Sequence, residues 1–314
     1  MDADGLGDTR RIVVVGSPTS LGGHFGGMER SPAGLRRLGL LARVRDRPGL
    51  AGIVVGDAGD TSNDPGWAAD PDPRAKNRAR ICDYLPRLAG GVAAALDPAG
   101  DDRLLLLGGD CTSHAGALAG LRRLHSGARI ALAWFDAHGD FNTPETTPSG
   151  NVWGMPFAMI CGRGDADLVA ACDGPSVLEE DAALVGGQVL DETESRMLAA
   201  SRVAHFGAGM LAGNAGLAAL AGWAVVVAAR VDGFYVAFDL DALDGDDGWA
   251  VAMPEPGGLS LGRAVAAVRT LAGAARSTRL GLFGFGATAA LLGAGRDDGA
   301  TVDAIAALAE AAFA

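Results

Sequence analysis

The sequence predicts an α/β protein in three layers, a mostly parallel central sheet with helices on both faces. Three observations carry that prediction. Short apolar runs alternate with helix-like stretches from end to end. No internal repeat, low-complexity tract or linker divides the chain, so residues 1–314 read as a single domain. Chemistry-bearing side chains directly follow three of the apolar runs, at Asp110-Cys111, Asp136 to Asp140 and Asp239 to Asp241. In parallel sheets ligands sit beyond the carboxyl ends of the strands, so three sequence-distant ends can meet at one pocket.

Ile12 to Gly16 reads as the first buried strand, running into the glycine-rich loop L-G-G-H-F-G-G (Leu21 to Gly27). That loop lacks the G-x-G-x-x-G spacing into a helix and no G-K-[ST] occurs, which argues against a nucleotide-phosphate cradle. Ser31 to Val44 predicts a helix with Ser31 as N-cap and Pro32 in the first turn. Ile53 to Asp57 is the second strand. Asp60 to Arg74, rich in Asp, Pro, Asn and Gly, is a loop, and Asn77 to Leu96 a helix. Leu104 to Cys111 is a strand with its turn, and a helix starts at Thr112. Ile130 to Phe135 is the central buried strand. From Met155 to Ala204 the pattern is weak. Val203 to Gly207 and Ala224 to Ala228 are candidate strands, and Gly233 to Asp241 is a clear one. Leu259 to Ala275 is a helix, Leu280 to Phe285 the last strand, and Thr301 to Phe313 a closing helix.

Hydrophobic residues make up 49% of the chain but aromatics only 5%, so Ala, Val, Leu and Gly do most of the packing. A net charge of −12 argues against nucleic acid and anionic membrane surfaces as partners. The cysteines Cys82, Cys111, Cys161 and Cys172 form no C-x-x-C pair, and a chain of this size needs no disulfide staples. With no signal-peptide pattern at the start, a reducing cytoplasm is the expected compartment. The apolar stretch Ala218 to Ala229 is too short to span a bilayer and is broken by Gly222.

Function is concentrated in W-F-D-A-H-G-D, Trp134 to Asp140. Period-two alternation would put Asp136, His138 and Asp140 on one side of an extended backbone. Two carboxylates and an imidazole suit a hard-to-borderline divalent cation. The alternative is a strand end feeding a solvated loop. Asp239 and Asp241 close another strand and Cys111 a third, giving four carboxylates, an imidazole and a thiol. Two ions sharing bridging carboxylates account for that much negative charge, and such pairs activate water for hydrolysis.

These motifs occur in a familiar order. G-G-D-C (Gly108 to Cys111), D-A-H-G-D (Asp136 to Asp140), S-G-N-x-x-G (Ser149 to Gly154), D-L-D (Asp239 to Asp241) and P-G-G-L-S (Pro256 to Ser260) resemble the ureohydrolases: arginase, agmatinase and formimidoylglutamase. S-P-A-G-L-R-R-L-G-L-L resembles that family's first helix, so the likeness covers nearly the whole chain. The resemblance implies a binuclear manganese centre in an α/β/α fold, usually in homo-oligomers (trimers or hexamers). One ion would take Cys111, Asp136, Asp140 and Asp239, and the other Asp136, His138, Asp239 and Asp241. A metal-bridging hydroxide would attack the carbon of a linear guanidine or amidine, with Asp140 among the catalytic groups. Asn142, Thr147, Ser149 and Asn151 match arginase positions that hold a substrate's α-carboxylate and α-amino group, which favours an arginine-like substrate.

The chain departs from the family at four places. Cys111 stands where the family usually has histidine. A thiolate prefers zinc, iron or cobalt to manganese, and its charge weakens the acidity of bound water. Cys111 resembles a branch acting on Nω-hydroxy-arginine; a buried small residue and a covalent nucleophile are the other readings. Trp153 replaces the proton-shuttling histidine, with His114 as a candidate substitute or an ordinary helix histidine. Gly286 falls where the guanidinium-pairing glutamate should be, with Glu255 or Glu145 as candidate replacements. The aspartate for the α-amino group has no counterpart in H-F-G-A-G-M-L-A (His205 to Ala212). A catalytically silent relative, acting as a small-molecule-binding or regulatory subunit, is the alternative function.

Overall fold

The computed structural model describes residues 10–61, 67–98 and 101–314. The expected loop from Asp60 to Arg74 therefore lies partly outside the described residues, as do residues 1–9, on which the expectation of no signal peptide rests. Among the described residues, eight strands form one sheet: β1 (Arg11–Ser17), β2 (Val54–Asp60), β3 (Asp102–Gly108), β4 (Ile130–Asp136), β5 (Ala182–Gly186), β6 (Ala204–Gly207), β7 (Gly233–Asp239) and β8 (Leu282–Thr288). Their order is β2-β1-β3-β8-β7-β4-β5-β6, and every pairing is parallel. The last two strands insert between β3 and β4, which brings the carboxyl ends of β3, β8, β7 and β4 side by side.

The inner strands are apolar on both faces because both are covered. Ile12 and Val14, Leu105 and Leu107, and Ala133 and Phe135 face one cluster, packed against the helices Leu40–Arg45, Asn214–Ala228, Leu261–Ala275 and Asp298–Phe313. The alternate residues Val13, Leu104, Leu106, Leu132 and Trp134 face the other, against Arg78–Ala95, Thr112–Leu124 and Pro156–Ile160. The three-layer α/β/α prediction is thereby met. Register sets the level of the site. Phe135 pairs with Phe238, so Asp136 and Asp239 leave the sheet together, and Asp239 pairs with Thr288.

Several elements differ from the sequence reading. Ala224 to Ala228 is not a strand. It ends a helix whose buried residues Gly216, Leu220, Ala224 and Val227 recur at helical spacing. A short valine run cannot separate strand from helix by periodicity alone. The helix expected from Ser31 to Val44 is two helices, Ser31–Arg37 and Leu40–Arg45, parted at Gly39, whose φ of 83° a glycine adopts freely. Ser31 is not the N-cap. Its hydroxyl donates to the Ala290 carbonyl at 2.5 Å. The last strand runs on to Thr288, and the weak stretch after Met155 contains β5. No helix among the described residues is long and apolar enough to cross a membrane.

Candidate metal centre and substrate cavity

The site is built from three strand ends. At β4 the extended backbone stops at Asp136, so the alternation expected through Asp140 does not hold. Instead the chain turns. The His138 N–H donates to Asp136 Oδ1 at 2.7 Å, and Asp140 adopts φ 49°. At β7, the Asp241 N–H donates to Asp239 Oδ1 at 2.9 Å as the chain enters a 3-10 turn. Asp241 Oδ1 in turn accepts from the Ala137 N–H at 3.0 Å, tying the β7 end to the β4 end. At β3, Asp110 accepts from Gly22 N (2.8 Å) and Thr112 N (3.0 Å), so it braces the turn that presents Cys111.

Two groups of donor atoms result. Cys111, Asp136 and Asp239 bring one donor each within 4.8 Å of one another, and so do Asp136, His138 and Asp241. Asp136 belongs to both. The Cys111 thiol donates to Asp239 Oδ2 at 2.8 Å, and the Trp134 indole N–H donates to Asp136 Oδ2 at 3.1 Å. His138 Nδ1 lies 3.2 Å from Asp136 Oδ1 and from Asp241 Oδ2. Asp140 is in neither group, but its Oδ2 is buried without a hydrogen-bond partner.

Burial and mutual repulsion dominate the electrostatics. Burial, then the charge of a neighbouring aspartate, raises Asp136, pushes Asp140 and Asp239 well above the ordinary carboxylate value, and pushes Asp241 up to about 6. Burial and Asp239 also raise the Cys111 thiol well above its ordinary value. Burial opposes a charged His138, but its bonds to Asp136 and Asp241 outweigh that and hold its proton strongly. Buried acids of this density repel one another unless cations or protons neutralise them. The orphaned Asp140 oxygen and the shared Asp136 therefore fit two divalent ions.

A cavity of about 230 Å³ opens over these groups. Of the residues singled out in sequence, Cys111, His138, Asp140, Asp239 and Asp241 line it, as do Asn142, Thr147, Ser149 and Trp153. Asp136 lies beneath, 1% exposed. Asn151 does not line the cavity; its Oδ1 accepts from Lys76 Nζ at 3.1 Å. Glu255 sits beside the wall, 3.7 Å from His138 Nε2, and Glu145 holds the Thr143 hydroxyl at 2.8 Å.

His114 does not face the cavity, which corrects its candidacy as proton shuttle. It is fully buried, with Nδ1 against the Tyr235 hydroxyl (2.9 Å) and Nε2 against the Thr288 hydroxyl (3.1 Å). Burial lowers its pKa to about 3, so the ring is neutral. The same pair fills the space beside Gly286, where an added Cβ would lie 2.7 Å from His114 Cε1 and from the Tyr235 hydroxyl.

The sequence reading missed Asp191 and Glu194, which line the cavity from beyond β5. Asp191 caps the helix Glu192–Ala199, accepting from Thr193 N and Glu194 N. Asn142 Nδ2 donates to Asp191 Oδ2 at 2.7 Å, and Phe141 N donates to Glu194 Oε1 at 2.9 Å. Burial pushes Glu194 up to about 7. A signal existed: D-E-T-E is a cap residue with a glutamate three positions on. The segment His205 to Ala212, which starts within β6, brings no acid to the cavity.

The chain is similar to known proteins in sequence and in fold. The model of the Arginase family matches residues 10–282. An arginase of Bacillus caldovelox is 30% identical over 266 residues, covering 83% of this chain and 86% of that protein. The crystal structure of Bacillus subtilis arginase superposes with a TM-score of 0.80 at 27% identity, covering 96% of this chain and 98% of the other. Bacillus subtilis formimidoylglutamase shares the fold at a TM-score of 0.74 and 18% identity, covering 97% of this chain and 86% of that one.

Proposed function

The chain belongs to the arginase family, and from that premise we propose that it is a metal-dependent amidinohydrolase acting on a guanidino amino acid, with Nω-hydroxy-arginine the leading candidate. The observation that carries the reading is Asp136, shared by two donor groups that face one cavity with an orphaned Asp140 oxygen. Two divalent ions held by Cys111, Asp136, His138, Asp140, Asp239 and Asp241 would supply Lewis acidity and a more acidic water. Manganese follows from the family, and the softness of Cys111 opens the site to zinc, iron or cobalt.

The remaining work falls to the protein's own side chains. One oxygen of the buried Asp140 would hold a metal, leaving its other oxygen to take the proton released as water attacks the guanidino carbon. The bond from that carbon to the carrier nitrogen breaks, giving an amine and a urea. Asp191 and Glu194 offer two carboxylates to an α-ammonium group, and Asn142 orients Asp191. The Thr147 and Ser149 hydroxyls offer donors to an α-carboxylate. Together they favour an amino acid over its decarboxylated amine. A homo-oligomer is part of the reading and rests on the family resemblance; a cytoplasmic home is supported by the four free cysteines.

Elemental mass spectrometry of protein purified without chelators tests the centre, and a panel of guanidino compounds tests the chemistry. About two metal equivalents with release of urea or hydroxyurea is the expected result. A metal-loaded protein that releases neither would instead support the silent relative, a reading favoured by the filled space beside Gly286.

A further inference from the structure

The sheet has a second end. At the amino ends of β1, β3 and β8, opposite the metal centre, lies a cavity of about 260 Å³. Four arginines line it, Arg10, Arg103, Arg276 and Arg279, together with Asp101. The whole chain carries a net charge of −12, so a recess rich in guanidinium groups runs against its composition.

Three elements deliver these side chains. Arg10 immediately precedes β1, and Arg103 is the second residue of β3. Arg276 and Arg279 lie in the turn between the helix Leu261–Ala275 and β8. The Thr278 hydroxyl fixes that turn, donating to the Ala275 carbonyl at 2.7 Å and accepting from the Gly281 N–H at 3.1 Å.

The contacts within the protein use few of the available donors. Arg10 Nη1 donates to the Phe313 carbonyl at 3.2 Å and Arg276 Nη2 to the Ala314 carbonyl at 2.8 Å, which suits the carboxyl end of the helix Asp298–Phe313. Arg103 Nη2 pairs with Asp101 at 2.6 Å, and Arg279 Nε with Asp232 at 3.2 Å. A guanidinium has five N–H donors, so Arg103, Arg276 and Arg279 keep donors beyond these bonds. The charges do not balance either. Asp101 and Asp232 offset two of the cations, and even a carboxylate at Ala314 would leave the cluster positive. Arg103 feels the excess. Its side chain is 17% exposed, burial lowers its pKa, and the charge of Arg10 lowers it further against the pull of Asp101. The ion-paired Arg11, Arg36, Arg78, Arg123 and Arg129 all shift upward instead.

We propose that this recess is a binding site for a small anion of the phosphate class, with Arg103, Arg276 and Arg279 as its donors. The donors come from β3 on one side and from the turn before β8 on the other, and Arg10 adds its charge from β1. A tetrahedral phosphate presents oxygens in several directions at once, whereas a carboxylate presents two in one plane. The site stands a full strand length from the metal centre and does not depend on the chemistry there.

Isothermal titration calorimetry of the full chain, loaded with metal, tests it with inorganic phosphate and, separately, with acetate. Sodium chloride holds the ionic strength constant, so that diffuse screening does not mimic binding. Phosphate should bind saturably and more tightly than acetate. Arg276 and Arg279 are exposed, so Arg276→Gln and Arg279→Gln should fold normally. Each should weaken phosphate about tenfold or more, the scale of a lost hydrogen bond to a charged group. Phosphate also meets any metal-bound site, and the variants separate the two. Binding that either variant leaves unchanged belongs elsewhere and overturns the proposal. No saturable binding overturns it too, as does acetate binding as tightly as phosphate.

Discussion

At the scale of single residues, Asp136 and Asp241 should behave differently although both are buried carboxylates at strand ends. Asp136 takes part in both donor groups and Asp241 in one. Asp136→Asn is expected to drop the metal content from about two equivalents to below one, and Asp241→Asn to about one; equal losses in elemental analysis would contradict the shared role. His114 makes the opposite case. It touches Tyr235 and Thr288, not the cavity. His114→Phe should cost about 1–3 kcal/mol of stability by leaving two buried hydroxyls short of a partner, read as a denaturant midpoint. The pH profile of any activity should keep its shape, since a neutral buried ring carries no proton to the site. A profile that loses a limb in this variant would restore His114 as a shuttle.

At the scale of elements, the helix Glu192–Ala199 joins stability to binding through one side chain. Asp191 caps it and also faces the cavity. Asp191→Ala should therefore cost about 1 kcal/mol as a lost cap and raise KM for an amino acid substrate about tenfold or more. Asp191→Ser should restore most of the stability but little of the affinity, because a hydroxyl caps a helix yet brings no charge to an ammonium group. If stability and KM recovered together, the carboxylate would be a cap alone. The loop after β1 shows a similar division. Gly22 and Gly23 let the backbone approach Trp153 where a side chain would collide.

At the scale of the whole molecule, the site is a store of repulsion that bound cations would relieve. Asp241 and Glu194 have folded pKa values raised to about 6 and about 7, and burial is the first cause of each. A raised value means that the native state binds protons which the unfolded chain has released. Without metal, the stability these two groups contribute is thus fully present below about pH 4, the unfolded carboxyl value, and is lost as pH rises through 6 and 7. Metal-free protein should melt at least about 5 °C lower at pH 7.5 than at pH 5. Metal binding should raise Tm more at the higher pH, where fewer protons compete for the ligands. A melting temperature that rises with pH in the chelated protein would show that other groups dominate.

Local pattern sufficed for much of this protein. Alternating apolar runs determined a parallel α/β sheet, and residues that follow strand ends, Cys111, Asp136, His138, Asp239 and Asp241, were legible because chain direction alone puts them on one edge. Other features required the tertiary structure. The valine run near Val225 and Val226 is helical because its neighbours bury one helical face against the sheet, and valine composition carries no trace of that. Asp140 reaches the site through a left-handed turn rather than strand alternation. Asp191 and Glu194 belong to the cavity only because β5 pairs with β4, and His114 leaves it only because Tyr235 and Thr288 hold it inward. Strand order and side-chain packing arise from contacts between residues far apart in the chain, and a sequence read along its length shows only neighbours.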